Sequence, residues 1–264
     1  MIREKWYMKL CLNTHNLAAN CNIEQIISLC KANGIAGIEF SIGYGHRHGI
    51  EADADRQSLV EARDKITDAG LQIVSISTFC RFDSDDPLIN QLNIEKAEKA
   101  TELANIMHAS IFRYVGNDIP KHISRDEFLS QMRNIAERLS QKSKKYGIKS
   151  LLNLHGGLRA AGDVERIMRG SSSDSGIVYN CDPFDAVSGS AEASISTLLP
   201  YIRHIHMHSM LNGFPYKELF CIMKKSGYNG WYSIAVDESV EDTDTYLGYY
   251  TRLARSMYES IPTD

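Results

Sequence analysis

The stretch "IRHIHMHSMLNGFPYKELFCIMKKSG" (residues 202–227) contains one complete β/α unit. Its first seven residues alternate between apolar side chains and histidine, the period of a strand, and they run into a turn. Apolar residues then recur at helical spacing until Gly227, which can take the left-handed conformation that closes a helix. Seven more runs read the same way: "MKLCLNT", "AGIEFSI", "LQIVSIST", "SIFRYVG", "KSLLNLH", "GIVYNCD" and "WYSIAVD" are strands. The segments between and after them, among them "IEQIISLCKANG", "RQSLVEARDKITDAG", "IEKAEKATELANIMHA" and "TDTYLGYYTRLARSMYES", are helices. Gly34, Gly70 and Gly147 end helices as Gly227 does, and the next strand follows within a few residues. Short αβ loops on one side and longer polar βα loops on the other define a single-domain (β/α)₈ TIM barrel over residues 1–264. A dinucleotide-type open sheet would need a G-x-G-x-x-G turn, which "SIGYGHRHG" does not supply.

The 264 residues match the typical size of such a barrel, roughly 250 residues. A net charge of −4 offers no general attraction for a phosphate backbone, so nucleic acid is not an expected partner. The six cysteines show no CxxC pair or disulfide framework, which suits a cytoplasmic protein. No run of about 18 apolar residues predicts a membrane span, and charges interrupt "MIREKWYMKLCLNTHN" before it could serve as a signal.

In a parallel barrel, chemistry collects at the C-terminal ends of the strands. Seven of the nine histidines fall there: His15, His46, His48, His155, His204, His206 and His208. Asn153 and His155 share one face of strand five, Asp182 ends strand six before Pro183, and Ala235 and Asp237 share a face of strand eight. This mixture of nitrogen and oxygen donors suits Mn²⁺, Zn²⁺, Co²⁺ or Mg²⁺ better than Ca²⁺. Asn153, Asp182, His206, His208 and Asp237 are the candidate ligands. Asp237 could instead cap a helix, and His204, deepest in its strand, reads as a hydrogen-bonded residue of the barrel interior. Arg113 on strand four could hold an oxyanion or phosphate, or close a salt bridge in the rim. Glu39, His15 and His155 are further candidate substrate contacts, while Trp231 and Phe79 could stack on a sugar or simply fill core.

These segments resemble the xylose isomerase-like barrels, which include sugar and sugar phosphate isomerases and epimerases, inosose dehydratases and endonuclease IV type nucleases. "GIAGIEF" resembles the family's second strand, "GLQIVSIST" its third, "HIHMHSM" its seventh and "GYNGWYSIAVDES" its eighth. The resemblance implies one divalent metal held by Glu, Asp, His and Glu from strands five to eight. Those positions fall on Asn153, Asp182, His206 and Ala235, so half of the implied set is missing. His208 and Asp237 lie on the correct face nearer the mouth, where they could form a displaced site with Asp182 and His206. The two-glutamate proton relay of the epimerases cannot operate, and His155 or Asp237 becomes the candidate proton carrier. Asp185 stands where a nuclease ligand histidine would follow Asp182, which argues against that branch. The expected protein is a sugar or sugar phosphate isomerase or epimerase acting on a small polyhydroxylated carbohydrate, with a weakened or relocated divalent metal site. A catalytically inactive carbohydrate-binding barrel and a polyol dehydratase or lyase are the alternatives, and a homo-oligomer remains open.

Overall fold

The structure is a computed structural model that describes residues 7–116, 118–183, 191–238 and 240–262. Eight strands alternate with eight helices. The first half runs β1 (Lys9–Asn13), α1 (Ile23–Ala32), β2 (Gly37–Ser41), α2 (Arg56–Asp68), β3 (Gln72–Ser77), α3 (Pro87–Ile106), β4 (Ile111–Gly116) and α4 (Arg125–Lys144). The second half runs β5 (Lys149–Leu154), α5 (Ala161–Met168), β6 (Ser175–Asn180), α6 (Ala191–Leu198), β7 (Ile202–Met207), α7 (Tyr216–Lys225), β8 (Trp231–Ile234) and α8 (Thr243–Glu259). The strands close in sequence order, all parallel, with β8 paired to β1. The expected (β/α)₈ barrel is therefore the observed fold.

The helix ends follow from local chemistry. Asn22 and Gln25 form a reciprocal capping box on α1, and Asp55, Ser124 and Asp242 accept from backbone amides at the starts of α2, α4 and α8. Gly34, Gly70, Gly147 and Gly227 all adopt positive φ, as the sequence predicts. One helix begins earlier than its pattern suggests. α3 starts at Pro87 rather than near residue 94, with Asp86 accepting from Leu88 N and proline at the first helical position. Its first turns carry Leu88 and Leu92 at 72% and 55% exposure, so no amphipathic stripe marks them.

Most of the apolar core lies between the outer faces of the strands and the helices. A smaller apolar layer plugs the bottom of the lumen: Cys11, Val74, Ile111, Leu151 and Val178, with Trp231 packed against them. Trp231 is thus core, not a sugar platform. Gly37 is required at this level, because a Cβ there would come within 2.5 Å of Val74 Cγ2 and 2.8 Å of the Trp231 ring. Above the plug the inward positions turn polar, and that change of chemistry along the strands creates the site. Among the described residues no helix is long and apolar enough to cross a membrane.

Candidate active site at the barrel mouth

The alternation of β7 carries His204, His206 and His208 up the lumen in three steps, with His204 in register with Trp231 and His206 with Ser233. The lower two rings face Glu39, which β2 projects inward and which is fully buried. His204 Nε2 lies 2.9 Å from Oε2, and His206 Nε2 lies 3.0 Å from both carboxylate oxygens. Ser233 Oγ donates to Oε2 at 2.7 Å, Ser77 Oγ donates to Oε1, and Arg113 Nε stands 3.8 Å from Oε1. A carboxylate can only accept, so both imidazoles carry a proton on Nε2.

Burial alone would raise the Glu39 carboxyl, but the facing His206 and His204 outweigh it and hold the group well below its usual range. Burial pushes His206 down to about 4, against the opposing pull of Glu39. The layer is therefore a Glu39–Arg113 pair surrounded by hydrogen-bond donors. Glu39 lies beneath the pocket, where it orients other groups and does not form part of the wall.

Higher up, His208 Nε2 meets Asn180 Oδ1 at 2.8 Å and Nδ1 meets Asp237 Oδ2 at 2.9 Å. The ring thus bridges β6 to the end of β8. Burial opposes ionisation of Asp237, yet its bond to His208 keeps the carboxyl below its usual range. Tyr250 in α8 donates to the His208 carbonyl at 2.6 Å and fixes the backbone. Asp182 follows β6 in a tight turn, its amide bonded to Asn180 O at 2.9 Å, and its carboxylate lies 3.8 Å from Arg159.

These groups surround a cavity of ≈ 400 Å³ at the C-terminal mouth. Its wall brings together His15, Arg113, Asn153 and His155 with Asp182, His206, His208 and Asp237, the candidate ligands, proton carriers and substrate contacts named from sequence, while Glu39 and Trp231 lie outside it. Arg113 is almost completely buried, with its guanidinium 5.0 Å from the centre of the Phe79 ring. Asn153 Oδ1 is buried without a hydrogen-bond partner among the described residues. His155 stands at the rim, its basicity lowered by burial and by Arg159 and Arg113. His15 packs against Phe79, Tyr44 and His46 at ring distances of 4.7, 5.0 and 5.7 Å. His48 is structural: Ile50 N donates to its Nδ1 at 3.0 Å, so Nε2 carries the proton toward Thr14 Oγ1. Sequence reasoning missed Asn13, Asn16, Asn180 and Asn212, although Asn180 precedes Asp182 by two residues and so shares its strand face.

The donor set is a poor match for a resident divalent ion. Ala235 lines the pocket with only a methyl group, Asp182 lies near a guanidinium, and His208 and Asp237 are engaged with each other. Among the described residues, the one group of three titratable donors within 4.8 Å of one another is Cys11, Glu39 and His204. That trio sits below the pocket. Burial raises the Cys11 thiol well above its ordinary value, and the Glu39 oxygens are already occupied by hydrogen donors. The orphaned Asn153 oxygen, Asp182 and His206 Nδ1 remain as weak donors, and this set does not fit a tightly held ion. Asp185 lies outside the described residues.

Parallel barrels whose strand ends converge amides, imidazoles and carboxylates form a recognisable class of small-molecule site, and this chain has that architecture. It belongs to the xylose isomerase-like TIM barrel family, whose pattern matches residues 27–250. Among solved structures, the 3-keto-D-glucoside 4-epimerase of E. coli superposes with a TM-score of 0.76 at 13% identity, covering 95% of this chain and 100% of that one. The IOLI protein with a bound zinc atom gives 0.75 at 16% identity, covering 96% and 100%. A probable 3-DHS dehydratase from Bacillus anthracis gives 0.71 at 18% identity, covering 93% and 98%. At these identities the likeness is one of fold. No curated protein matches the chain.

Proposed function

We propose that the pocket binds a small, unphosphorylated polyhydroxylated carbohydrate and moves a proton on the carbon beside its carbonyl, the chemistry of a sugar isomerase or epimerase. The composition of the wall is the observation that carries this reading. Five carboxamides, from Asn13, Asn16, Asn153, Asn180 and Asn212, and four imidazoles, from His15, His155, His206 and His208, surround one cavity. Amides and imidazoles both donate and accept, which matches a ring of hydroxyl groups. Among the described lining residues Arg113 is the one Lys or Arg side chain, and Glu39 already faces it, so no cluster of cations is present to hold a phosphate. The cavity falls within the usual range of small-molecule sites, roughly 300–1,000 Å³.

His155 is the proton acceptor in this scheme, because its lowered basicity leaves the ring neutral near pH 7. Asp237, ionised and held by His208, is placed at the same rim, where it accepts from a water or a substrate hydroxyl and orients that group to deliver the second proton. The weakened metal site of Asn153, Asp182 and His206 is assigned no step. The six cysteines are free, which agrees with the proposed cytoplasmic setting.

The test is to incubate the full chain with a panel of ketoses and inososes in D₂O and follow the carbon-bound protons by NMR. Deuterium entering beside the carbonyl, with epimer or isomer formed and no water lost, is the expected result. Loss of water from an inosose would replace this reading with a dehydratase. Binding without exchange across the whole panel would leave a non-catalytic carbohydrate-binding barrel.

A further inference from the structure

We infer that Arg113 is the catalytic electrophile of this pocket, a fixed guanidinium that takes the charge of the substrate carbonyl oxygen and lets the reaction proceed without a metal ion. This rests on the carbohydrate reading above and adds to it the group that stabilises the developing negative charge.

Arg113 sits at 3% exposure on β4, yet its side chain lines the cavity. Its Nε faces Glu39 at 3.8 Å, and its guanidinium packs over the Phe79 face. Neither contact uses the terminal nitrogens. A buried arginine serving only as a structural ion pair closes onto its carboxylate with two short bonds, near 2.8 Å. Here the two Glu39 oxygens are already taken by His204, His206, Ser233 and Ser77. The guanidinium is thus anchored by charge and by an aromatic face while its Nη donors remain for a ligand in the cavity. The buried Nε has no hydrogen-bond partner among the described residues and holds its position by charge beside Glu39, while the cavity that Arg113 lines gives a carbonyl oxygen access to the cation.

The remaining wall fits this role. Where a metal-dependent site would place carboxylates, the chain has the neutral Asn153 and Ala235, so the ligand carbonyl meets one permanent cation and no competing anion from those two positions. His155 faces the same cavity. In the step itself, the C–H bond beside the carbonyl breaks and its proton goes to the His155 ring. The bonding electron pair forms a C=C bond, and the carbonyl electrons move onto oxygen beside Arg113. Delivery of a solvent proton to the opposite face, with His155 releasing its own proton to solvent and the oxygen electrons re-forming the carbonyl, gives the epimer. For the isomer, the hydroxyl proton of the neighbouring carbon moves to the enolate oxygen, that carbon becomes the new carbonyl, and His155 returns its proton to the former carbonyl carbon. No oxidant or reductant is required.

The experiment uses whichever ketose of the panel exchanges deuterium, with the full chain in EDTA and then in millimolar Mn²⁺ or Co²⁺. The exchange rate is expected to agree between the two media within about twofold. Arg113→Lys, which keeps a charge beside Glu39, is expected to lower kcat by about 10²–10³ with a smaller change in KM. Added guanidinium ion is expected to restore part of the rate to Arg113→Ala and none to Arg113→Lys. If Arg113→Ala does not fold, the wild-type comparison and the lysine variant still decide. Exchange abolished by EDTA and restored by Mn²⁺, or an unchanged rate in Arg113→Lys, overturns the inference and leaves the carbohydrate reading standing. Exchange absent from every sugar in both media overturns both.

Discussion

Replacing His155 by glutamine is expected to lower kcat for solvent exchange by about 10²–10⁴-fold while leaving the thermal midpoint nearly unchanged. The two halves of the expectation have separate causes. His155 stands exposed at the rim beyond the end of β5, so its removal creates no cavity and changes stability by no more than roughly 0.5 kcal/mol. Its basicity lies below that of an ordinary imidazole because of burial, Arg159 and Arg113, so the neutral form dominates at pH 7. The acid limb of kcat/KM should therefore fall below the unperturbed histidine value of about 6.5 and disappear in the variant. NMR exchange rates across pH, paired with a circular dichroism melt, supply the measurement. A loss smaller than about fivefold would remove His155 from the proposed chemistry.

Glu39→Gln is expected to produce the largest loss of stability, on the order of 3–5 kcal/mol, because it leaves the buried Arg113 charge uncompensated. Urea unfolding of the variant against the wild type reads this directly. The same layer makes the wild type acid-sensitive, and the signs agree. Glu39 has its folded pKa depressed, so its contribution is complete above the unfolded value and is lost as pH falls through the folded one. His206 and His48 are held neutral down to about 4, so below the unfolded value the unfolded chain binds protons that the folded chain refuses. Each ring therefore withdraws up to ~3 kcal/mol of stability as pH drops from about 6.5 toward 4. Unfolding free energies at pH 7 and pH 4.5 should differ by several kcal/mol, and equal values would contradict the assigned protonation states.

The barrel was legible in the sequence because each unit repeats a local signal: alternation in the strand, helical spacing after it, and glycine at the helix end. Where that signal fails, as in the first turns of α3 with their exposed leucines, the boundary shifts. The mouth of the barrel was legible for a similar reason. Strand alternation alone places Asn153 with His155 and orders the three histidines of β7, and the structure keeps those assignments. Partners across the lumen were not legible. Glu39 reads from sequence as a substrate contact, and only closure of the sheet brings β2 opposite β7, 165 residues away, where it becomes the anchor of His204 and His206. The sequence grouped His208 with Asp237 as ligands of one displaced site, but their direct contact, and that of His208 with Asn180, depends on the packing of three separate strand ends.

The most direct measurement is a crystal structure of the protein soaked with a ketose that exchanges in D₂O. The sugar should lie in the cavity between β4 and β8, its carbonyl oxygen within hydrogen-bond distance of the Arg113 guanidinium and the adjacent carbon facing His155. A sugar bound outside this cavity, or one whose carbonyl turns away from Arg113, would contradict the account.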